Sequence, residues 1–338
     1  MNVSTIGLDI AKNVFQVHGV DNAGEVVSRR RLRRAEVMGF FSRLKPCLVG
    51  LEACATAHYW ARELRALGHC VKLIPPIYVK AHAHRGKSDA IDAAAICAAV
   101  MNPNTRFVPL KTPEQQASLS LHRIRDQLIG QRTRYINLLR SQMAEFGMIA
   151  KAGPQHIAEL TAIISDETDS RLPAQARIAL REVVAILDHL RERIDGIETA
   201  VIQGHKVDAT SQRLATQPGV GPITASAFAA SVPDPHHFRS ARHFAASLGL
   251  TPKQHSTGGK ERLGKISKMG DRYLRMLLVL GATSRLAQAK RYRRPQDGWI
   301  LRLLARRPAR VVITAIANKM ARVTWVLLAR GQTYCAAA

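Results

Sequence analysis

The chain has 338 residues, of which 50 are Lys or Arg and 25 are Asp or Glu, so its formal net charge is +25 and its pI is near 10.8. This length allows two or three domains with more than one hydrophobic core. The positive excess is spread along the whole chain, which favours a nucleic-acid partner over a basic ribosome- or membrane-associated role. Aromatic residues make up only 5%, so recognition that rests mainly on stacked single-strand bases is disfavoured.

The cysteines and the apolar runs exclude other classes of protein. The five cysteines form no Cys-x-x-Cys pair and their number is odd, which argues against a zinc site. No signal-peptide pattern opens the chain, and no uninterrupted apolar stretch reaches membrane-spanning length. We therefore expect a protein of the reducing cytoplasm with no membrane partner.

Residues 1 to about 112 alternate strand and helix patterns. An apolar run around Asp9 predicts a buried first strand, and two extended runs joined by a turn at residues 21–24 predict a hairpin. There follow a helix over residues 35–44, a strand ending at Glu52, a helix over 58–67, the strand VKLIPP stopped by two prolines, and a helix with Asp89 and Asp92. This order predicts a ribonuclease H-like (RuvC-like) mixed α/β layer fold.

From Thr112 the pattern becomes helical. A break at Gly153-Pro154 precedes a three-four apolar repeat between residues 178 and 197, which predicts a helical hairpin or a short coiled coil. Residues 206–338 are predicted to be mostly helical and are rich in short motifs. The predicted domains are residues 1–148 (the α/β domain with a trailing long helix), 149–205 (a helical or coiled-coil region) and 206–338 (a mostly α C-terminal domain).

Four carboxylates stand out in this basic chain: Asp9, Glu52, Asp89 and Asp92. Asp9 lies within an apolar strand, where a charge is costly unless it is paired or metal-bound. Asp89 and Asp92 are three residues apart, so they share one face of a helix. Oxygen ligands of this kind suit Mg²⁺ or Mn²⁺, and two such cations can activate an attacking oxygen and stabilise a leaving one in phosphodiester chemistry. Any one of these residues alone also fits an ordinary structural role.

The segment QPGVGPITASAFAA, residues 217–230, predicts a helix-hairpin-helix element. Gly219 and Gly221 would let backbone N–H groups approach a phosphate at a helix N-terminus, which gives DNA binding without sequence preference. A tight turn between two helices is the alternative.

A glycine-rich loop ringed by cations follows at residues 253–268. A hydroxyl on such a loop could attack a phosphodiester while the cations stabilise developing negative charge and His255 relays protons. Chemistry alone does not separate Ser256 from Ser267, and a plain phosphate contact or turn is the alternative. The residues expected to contact nucleic acid here are Lys253, His255, Gly258, Gly259, Lys260, Arg262, Lys265 and Lys268.

Two further basic features flank the acidic quartet. Lys87 precedes Asp89 and either approaches the scissile phosphate or pairs with Asp89. The basic run at residues 29–34 predicts a solvated face that also touches phosphate.

The ordered motifs GLDIAK, LEAC, KSDAIDA, PGVGP, GLTPK, STGGK and ISKMGD closely resemble the DEDD transposases of bacterial insertion sequences. The resemblance spans nearly the whole chain. It implies an N-terminal RuvC-like domain and a C-terminal transposase domain, with Asp9, Glu52, Asp89 and Asp92 holding Mg²⁺ or Mn²⁺. It also implies a nucleophilic serine that maps best to Ser256, with Thr257 still open because the preceding loop varies in length.

The same resemblance implies a reaction and a set of partners. Similar proteins join DNA through a covalent phosphoserine, take carboxylates from one subunit and serine from another in a dimer or tetramer, and are guided by an element-encoded non-coding RNA that pairs with donor and target DNA. They work in the bacterial cytoplasm, at the nucleoid when active. The HSTGGK sequence and the close-set Asp89 and Asp92 resemble the subgroup that inserts into specific repeated or attachment-type sites.

Two other functions remain open at this stage. The first is a RuvC-like, metal-dependent, structure-specific endonuclease without strand transfer, in which Ser256 only contacts phosphate. The second is a protein that packages RNA or DNA through its charge alone.

Overall fold

A computed structural model of the chain describes residues 3–83, 88–151, 153–294 and 297–335. The chain forms two compact units, residues 1–112 and residues 113–338. The division falls where the helical pattern of the sequence begins. The finer predicted boundaries, at residues 148 and 205, stay a prediction.

The first unit is a mixed α/β layer. In the described residues its strands are β1 (Thr5–Ile10), β2 (Val14–Val20), β3 (Val26–Arg33), β4 (Leu48–Glu52) and β5 (Cys70–Ile74). Its helices are α1 (Val37–Phe41), α2 (Ala57–Ala66), α3 (Pro76–His82) and α4 (Asp89–Met101).

The sheet of this unit has the strand order β3-β2-β1-β4-β5. Strands β1, β2 and β3 form an antiparallel meander, whereas β4 pairs with β1, and β5 with β4, in parallel. The turn between β2 and β3 follows from Asp21, whose carboxylate accepts the N–H groups of Ala23 and Glu25, and from Gly24 at φ +86°. The predicted hairpin and mixed α/β order are confirmed, and the sheet is consistent with a DEDD nuclease-like domain.

The two faces of the sheet are covered differently because side chains alternate along each strand. Ile6 and Leu8 of β1 are fully buried in a core completed by Phe41 and Trp60 from α1 and α2. On the opposite face α4 approaches so closely that a Cβ added at Gly7 would lie 2.1 Å from the carbonyl oxygen of Ala93. The glycine therefore sets how near α4 lies to the centre of the sheet.

Two details of this unit differ from the sequence-based expectation. The helix predicted over residues 35–44 is shorter, because a 3-10 turn at Arg34–Glu36 precedes α1. The prolines after β5 end the strand as predicted, but Pro76 also starts α3, since proline is well tolerated in the first turn of a helix.

The second unit is helical apart from one short hairpin. Its described helices are α5 (Pro113–Ala144), α6 (Ile157–Ser165), α7 (Ala174–Val207), α8 (Ala209–Ala215), α9 (Pro222–Ser231), α10 (Ala241–Ser247), α11 (Arg272–Tyr292), α12 (Gly298–Leu304) and α13 (Ala309–Arg330). The hairpin consists of β6 (Pro252–Gln254) and β7 (Leu263–Ile266). The prediction missed these strands because they are short and mostly exposed, so they show no apolar alternation.

The long helices α5 and α7 pack against each other in opposite directions. Arg125 in α5 pairs with Glu198 near the end of α7, whereas Leu139, later in α5, shares a core with Leu180 and Leu187, earlier in α7. The predicted helical pattern of the middle region is therefore confirmed, and the coiled-coil form is not. A separate core joins α9, α10, α11 and α13, with Phe228 and Phe244 at its centre.

The contact between α4 and β1 predicts that adding a single methyl group at Gly7 destabilises the protein. We expect Gly7→Ala to lower the free energy of unfolding by about 1–3 kcal/mol, because the methyl group meets helix backbone that cannot move aside alone. Guanidinium-induced unfolding checks the effect. Gly39→Ala in α1 is the matched control, since a Cβ there meets nothing within 4 Å. Equal stability of the two variants would contradict the assigned contact.

Candidate active site

Asp9 and Glu52 lie side by side at the ends of two neighbouring strands. Leu8 pairs with Leu51 in the parallel register of β1 and β4, so the next residue of each strand, Asp9 and Glu52, points to the same face. This is the face that α4 covers. Both side chains are half-buried.

Asp89 and Asp92 occupy the first turn of α4. Ser88 caps this helix, because its hydroxyl oxygen accepts the N–H of Ile91 at 3.3 Å. The positive end of the helix dipole favours two carboxylates at this point. The close contact at Gly7 brings the first turn of α4 to the end of β1 that carries Asp9.

The four carboxylates interact electrostatically at Asp9. Burial, together with the negative charges of Asp92, Asp89 and Glu52, raises the pKa of Asp9 from the ordinary 3.8 to about 6, against a hydrogen bond from the Ile10 backbone that lowers it. The predicted quartet is thus brought together in one unit, although its members come from two strands and a helix.

The donors of this cluster are carboxylate oxygens, which suit a hard divalent cation. A bound cation would also remove the mutual repulsion that raises the pKa of Asp9. Within the ranges that the structure describes, no group of three or more His, Cys, Asp or Glu side chains is already arranged to hold a metal ion. Lys87, which was predicted beside this cluster, lies outside the described residues.

Ser256 lies in the hairpin of the second unit, close to its tip. Gly258 (φ +56°) and Gly259 (φ +75°) form a two-residue turn with both φ angles positive, a type I′ turn that glycine favours. Thr257 and Lys260 bridge across the turn. The Ser256 hydroxyl accepts the backbone N–H of Arg262 at 3.3 Å and is exposed to solvent.

The base of the hairpin is fixed by close backbone contacts. A Cβ at Gly249 (φ +70°) would lie 2.4 Å from the Met269 carbonyl oxygen, and one at Gly270 (φ +73°) would lie 1.7 Å from that of Ser247. Arg275 of α11 donates to the carbonyl oxygens of Leu248 (2.9 Å) and Met269 (2.8 Å). The motif around Ser256 is therefore an exposed turn on an anchored base.

The cations predicted around the serine are exposed on this hairpin and next to it. His255 follows β6, its backbone N–H donates to the Arg262 carbonyl oxygen at 2.8 Å, and its ring lies beside Gly264. Proton relay by His255 stays a prediction. The exposed basic side chains are Lys253, Lys260, Arg262, Lys265 and Lys268.

The Pro-Gly-Val-Gly-Pro turn joins α8 to α9. Gly219 (φ +88°) packs against α11, where a Cβ would lie 2.8 Å from Arg285 Cγ and 3.0 Å from the Gly281 carbonyl oxygen. Packing alone therefore requires glycine at this position. Gly221 precedes Pro222 at the start of α9, and a Cβ there would meet nothing within 4 Å. Nucleic-acid contact by either glycine stays a prediction.

A buried polar network in the second unit was missed by the sequence-based prediction. His122 of α5 is 1% exposed and hydrogen-bonds to Tyr273 Oη and Ser226 Oγ, both at 3.1 Å. Burial and the charge of Arg125 lower its pKa to about 4, so the imidazole is neutral. A histidine within a helix gives no sequence signal for this role, because its partners are more than 100 residues away.

Two family profiles match the chain at these same regions. A transposase profile of the IS110 type, named for the DEDD carboxylates, matches residues 6–148, which include the acidic cluster. The profile of the transposase IS116/IS110/IS902 family matches residues 211–296, which include the turn at Gly219 and the serine hairpin.

Full-length relatives agree with the profiles. The chain is 49% identical over 335 residues to the probable family 20 transposase of Pseudomonas aeruginosa, covering 99% of both chains. It is 38% identical over 333 residues to the transposase for insertion sequence element IS1328 of Yersinia enterocolitica, covering 98% of this chain and 99% of the relative. It is 37% identical over 334 residues to that of IS1111A of Coxiella burnetii, covering 98% and 92%.

The chain belongs to the IS110/IS116/IS902 transposase family. It is therefore an insertion-sequence transposase, an enzyme that cleaves and rejoins DNA. DEDD transposases generally depend on a divalent metal ion. The resemblance drawn from the sequence motifs is confirmed.

One helix of the transposase, α13, resembles a membrane-spanning helix in its length and composition. Helix α13 is long and apolar enough to cross a membrane by length and composition. However, it carries Lys319 and Arg322, and its Val312, Ile316 and Met320 are buried in the core of the second unit. Core helices commonly share this composition, so α13 is accounted for by packing.

The raised pKa of Asp9 predicts a pH-dependent stability in metal-free buffer. The folded pKa (about 6) exceeds the ordinary 3.8, so the folded state binds the extra proton and stability falls as pH rises between these values. Asp9→Asn removes this fall. We expect the variant to be more stable than the wild type by about 1–2 kcal/mol at pH 7, after allowance for solvent screening of a half-exposed group, and no more stable near pH 4.

Thermal unfolding of both proteins across this pH range, with a chelator present, measures the difference. Glu25→Gln is the control, because Glu25 is an exposed carboxylate of the same unit, at the β2–β3 turn. A stability gain of Asp9→Asn that does not change with pH would mean that the pKa of Asp9 is not raised in the folded protein.

Proposed function

We propose that this transposase uses the carboxylates of Asp9, Glu52, Asp89 and Asp92 to cut DNA. Ser256 would be the nucleophile through which the DNA is rejoined. The observation that carries the proposal is the raised pKa of Asp9, since its causes include all three other carboxylates. A cluster of like charges at a half-buried position is costly for folding, and such clusters are typical of functional sites. The fold supports the proposal, because its strand order and α4 fit a ribonuclease H-like domain.

The carboxylates would hold Mg²⁺ or Mn²⁺. When bound, a divalent cation would stabilise negative charge on the phosphate oxygens and favour the attacking hydroxyl. The protein's own contribution is rigidity: β1 and β4 fix Asp9 and Glu52 through their shared register, and the Ser88 cap fixes the first turn of α4. Ionisation of Asp9 above its pKa of about 6 makes the full donor set available near neutral pH.

Ser256 would act as the nucleophile. Its Oγ forms a bond to phosphorus while the bond from phosphorus to the leaving sugar oxygen breaks, and the hydroxyl proton passes to solvent or a nearby base. Attack by a second hydroxyl on the phosphoserine reverses the exchange and rejoins the DNA. The exposed turn supports this role, because a phosphodiester can reach the hydroxyl, and the surrounding Lys and Arg side chains stabilise added negative charge.

Resemblance to DEDD transposases supports a composite site in which the carboxylates of one subunit act with Ser256 of another. We therefore propose a dimer or tetramer. The two units of the chain would then serve different partners within the assembly. The enzyme would work in the bacterial cytoplasm, at the nucleoid when it acts on donor and target DNA.

The proposed nucleophile predicts a covalent protein–DNA adduct. We expect the wild type with Mg²⁺ to form an adduct that survives denaturing electrophoresis, and Ser256→Ala to lose it at least about 10³-fold, because a methyl group cannot attack phosphorus. Thr257→Ala is the matched control and keeps the adduct. Adduct formation by Ser256→Ala but not by Thr257→Ala would transfer the role to the threonine.

Strand cleavage without an adduct distinguishes the alternative function. If Ser256→Ala cuts DNA with unchanged metal dependence, the protein acts as a metal-dependent endonuclease and the serine only contacts phosphate. Asp9→Asn should bind DNA as the wild type does and fail to cut it. Unaffected cutting by that variant would remove the carboxylate site from the mechanism.

A guide RNA is the other proposed partner. Resemblance to the family supports it, and the charge of +25 over the whole chain gives capacity for two kinds of nucleic acid. We expect one structured RNA, transcribed from the element's own end, to be enriched in sequenced RNA that copurifies with the full-length protein. Copurified RNA that only mirrors cellular abundance would contradict a specific guide.

A further inference from the structure

Strand β3 lies at the edge of the sheet and carries most of a basic run. Alternation divides this run between two faces. Leu32 and Ser28 are buried on the face that holds the core of α1 and α2. Arg29, Arg31 and Arg33 therefore lie on the other face, and all three are exposed.

The strand register connects these arginines to the carboxylate cluster. Arg31 pairs with Gln16 of β2, and Gln16 pairs with Asp9 of β1. Glu52 continues the same row on β4. One line across the sheet thus runs from Glu52 through Asp9 and Gln16 to Arg31, and two strand spacings separate the Cα atoms of Asp9 and Arg31 by about 10 Å.

The neighbouring rows have the same arrangement. Arg29 pairs with His18, which pairs with Gly7, and Arg33 pairs with Val14. The lowered pKa of His18 agrees with this register. Burial lowers it, and so does the positive charge of the neighbouring Arg29. His18 is therefore neutral at pH 7, and the arginines supply the positive charge of this part of the sheet.

The other arginines of the run face elsewhere. Arg30 pairs with Val17 on the core face, although its own side chain is exposed. Arg34 packs over the Trp60 ring at 5.0 Å and donates to the Lys12 carbonyl oxygen. No salt bridge in the described part of the chain joins Arg29, Arg31 or Arg33 to a carboxylate.

We propose that Arg29, Arg31 and Arg33 bind successive phosphates of the substrate DNA and hold it along the edge of the sheet, parallel to β1 and level with Asp9. This phosphate track deepens the proposed function and rests on it. Alternate residues of the strand are about 7 Å apart, which is close to the spacing of phosphates along an extended nucleic-acid strand. Guanidinium groups bind phosphate in a bidentate manner, so three of them along β3 position a nucleic-acid backbone without reading its sequence.

The position of the track identifies its ligand. The track meets the row of Asp9 at Arg31, about 10 Å from Asp9, so a nucleic acid bound there lies beside the acidic cluster and the ligand of the track is the substrate DNA. A guide RNA bound elsewhere on this basic protein would not need these three side chains.

The test compares two variants of the full-length protein with the wild type in a chelating buffer. One replaces the track (Arg29→Ala, Arg31→Ala and Arg33→Ala together), and Arg30→Ala is the matched control on the same strand. The probes are a labelled DNA oligonucleotide, single-stranded and duplex, and an RNA of the same sequence. The measurement is the dependence of affinity on salt concentration.

We expect the triple variant to lower the slope of log affinity against log salt on DNA by about 2–3, since each lost phosphate contact removes 0.7–0.9. Arg30→Ala should leave the slope unchanged. Arg31→Gln alone should lower it by about 1, which keeps the test valid if the triple variant does not fold. Equal slopes for the track and Arg30 variants, or a change on RNA alone, would overturn the proposal.

This outcome is separate from that of the proposed chemistry. If the track variant binds DNA as the wild type does while Asp9→Asn abolishes cutting, the carboxylate site stands and the track is wrong. If the track variant loses DNA contacts while Asp9→Asn still cuts, the three arginines bind DNA as proposed and the carboxylate site is wrong.

Discussion

Helix α4 contacts strand β1 at a position where no side chain fits, and the arrangement of the acidic cluster depends on that contact. The helix backbone at Ala93 occupies the space that a Cβ of Gly7 would fill. Gly50 on β4 has the same role, with Val100 2.8 Å from its ideal Cβ. Two glycines on adjacent strands thus let the helix lie directly on the sheet. Asp89 and Asp92, in the first turn of this helix, are thereby placed near Asp9 and Glu52.

This contact stabilises an arrangement that the charges oppose. Four carboxylates that share one side of the sheet repel each other, and the half-buried Asp9 experiences the combined effect. Packing of apolar side chains such as Ile74 and Ile96 around α4 offsets the repulsion. Clusters of like charge that destabilise the folded state in this way are found mainly at functional sites. An ordinary acidic surface, exposed to water, has no such destabilising repulsion.

The sequence was sufficient for the elements and motifs whose signals are local. Alternation and turn residues identified the order of strands and helices along the first unit, and helix spacing put Asp89 and Asp92 on one face. The sequence was not sufficient for features that depend on contacts between residues far apart in the chain. The serine hairpin is short and mostly exposed, so periodicity did not reveal its strands, and its anchors, Gly249 and Arg275, act through backbone contacts. The division of the basic run between two faces of β3 needed the register, which one strand alone does not give.

The neutral imidazole of His122 has a consequence for the second unit. It links α5 to α9 and α11 through Ser226 and Tyr273, and Arg125 next to it holds Glu198 of α7. Because the pKa of His122 is about 4, its imidazole stays neutral near neutral pH. The link between α5, α9 and α11 therefore keeps its hydrogen bonds where Asp9, with a pKa of about 6, already takes up a proton. In the proposed mechanism, mild acid would neutralise Asp9 and leave the His122 network unchanged.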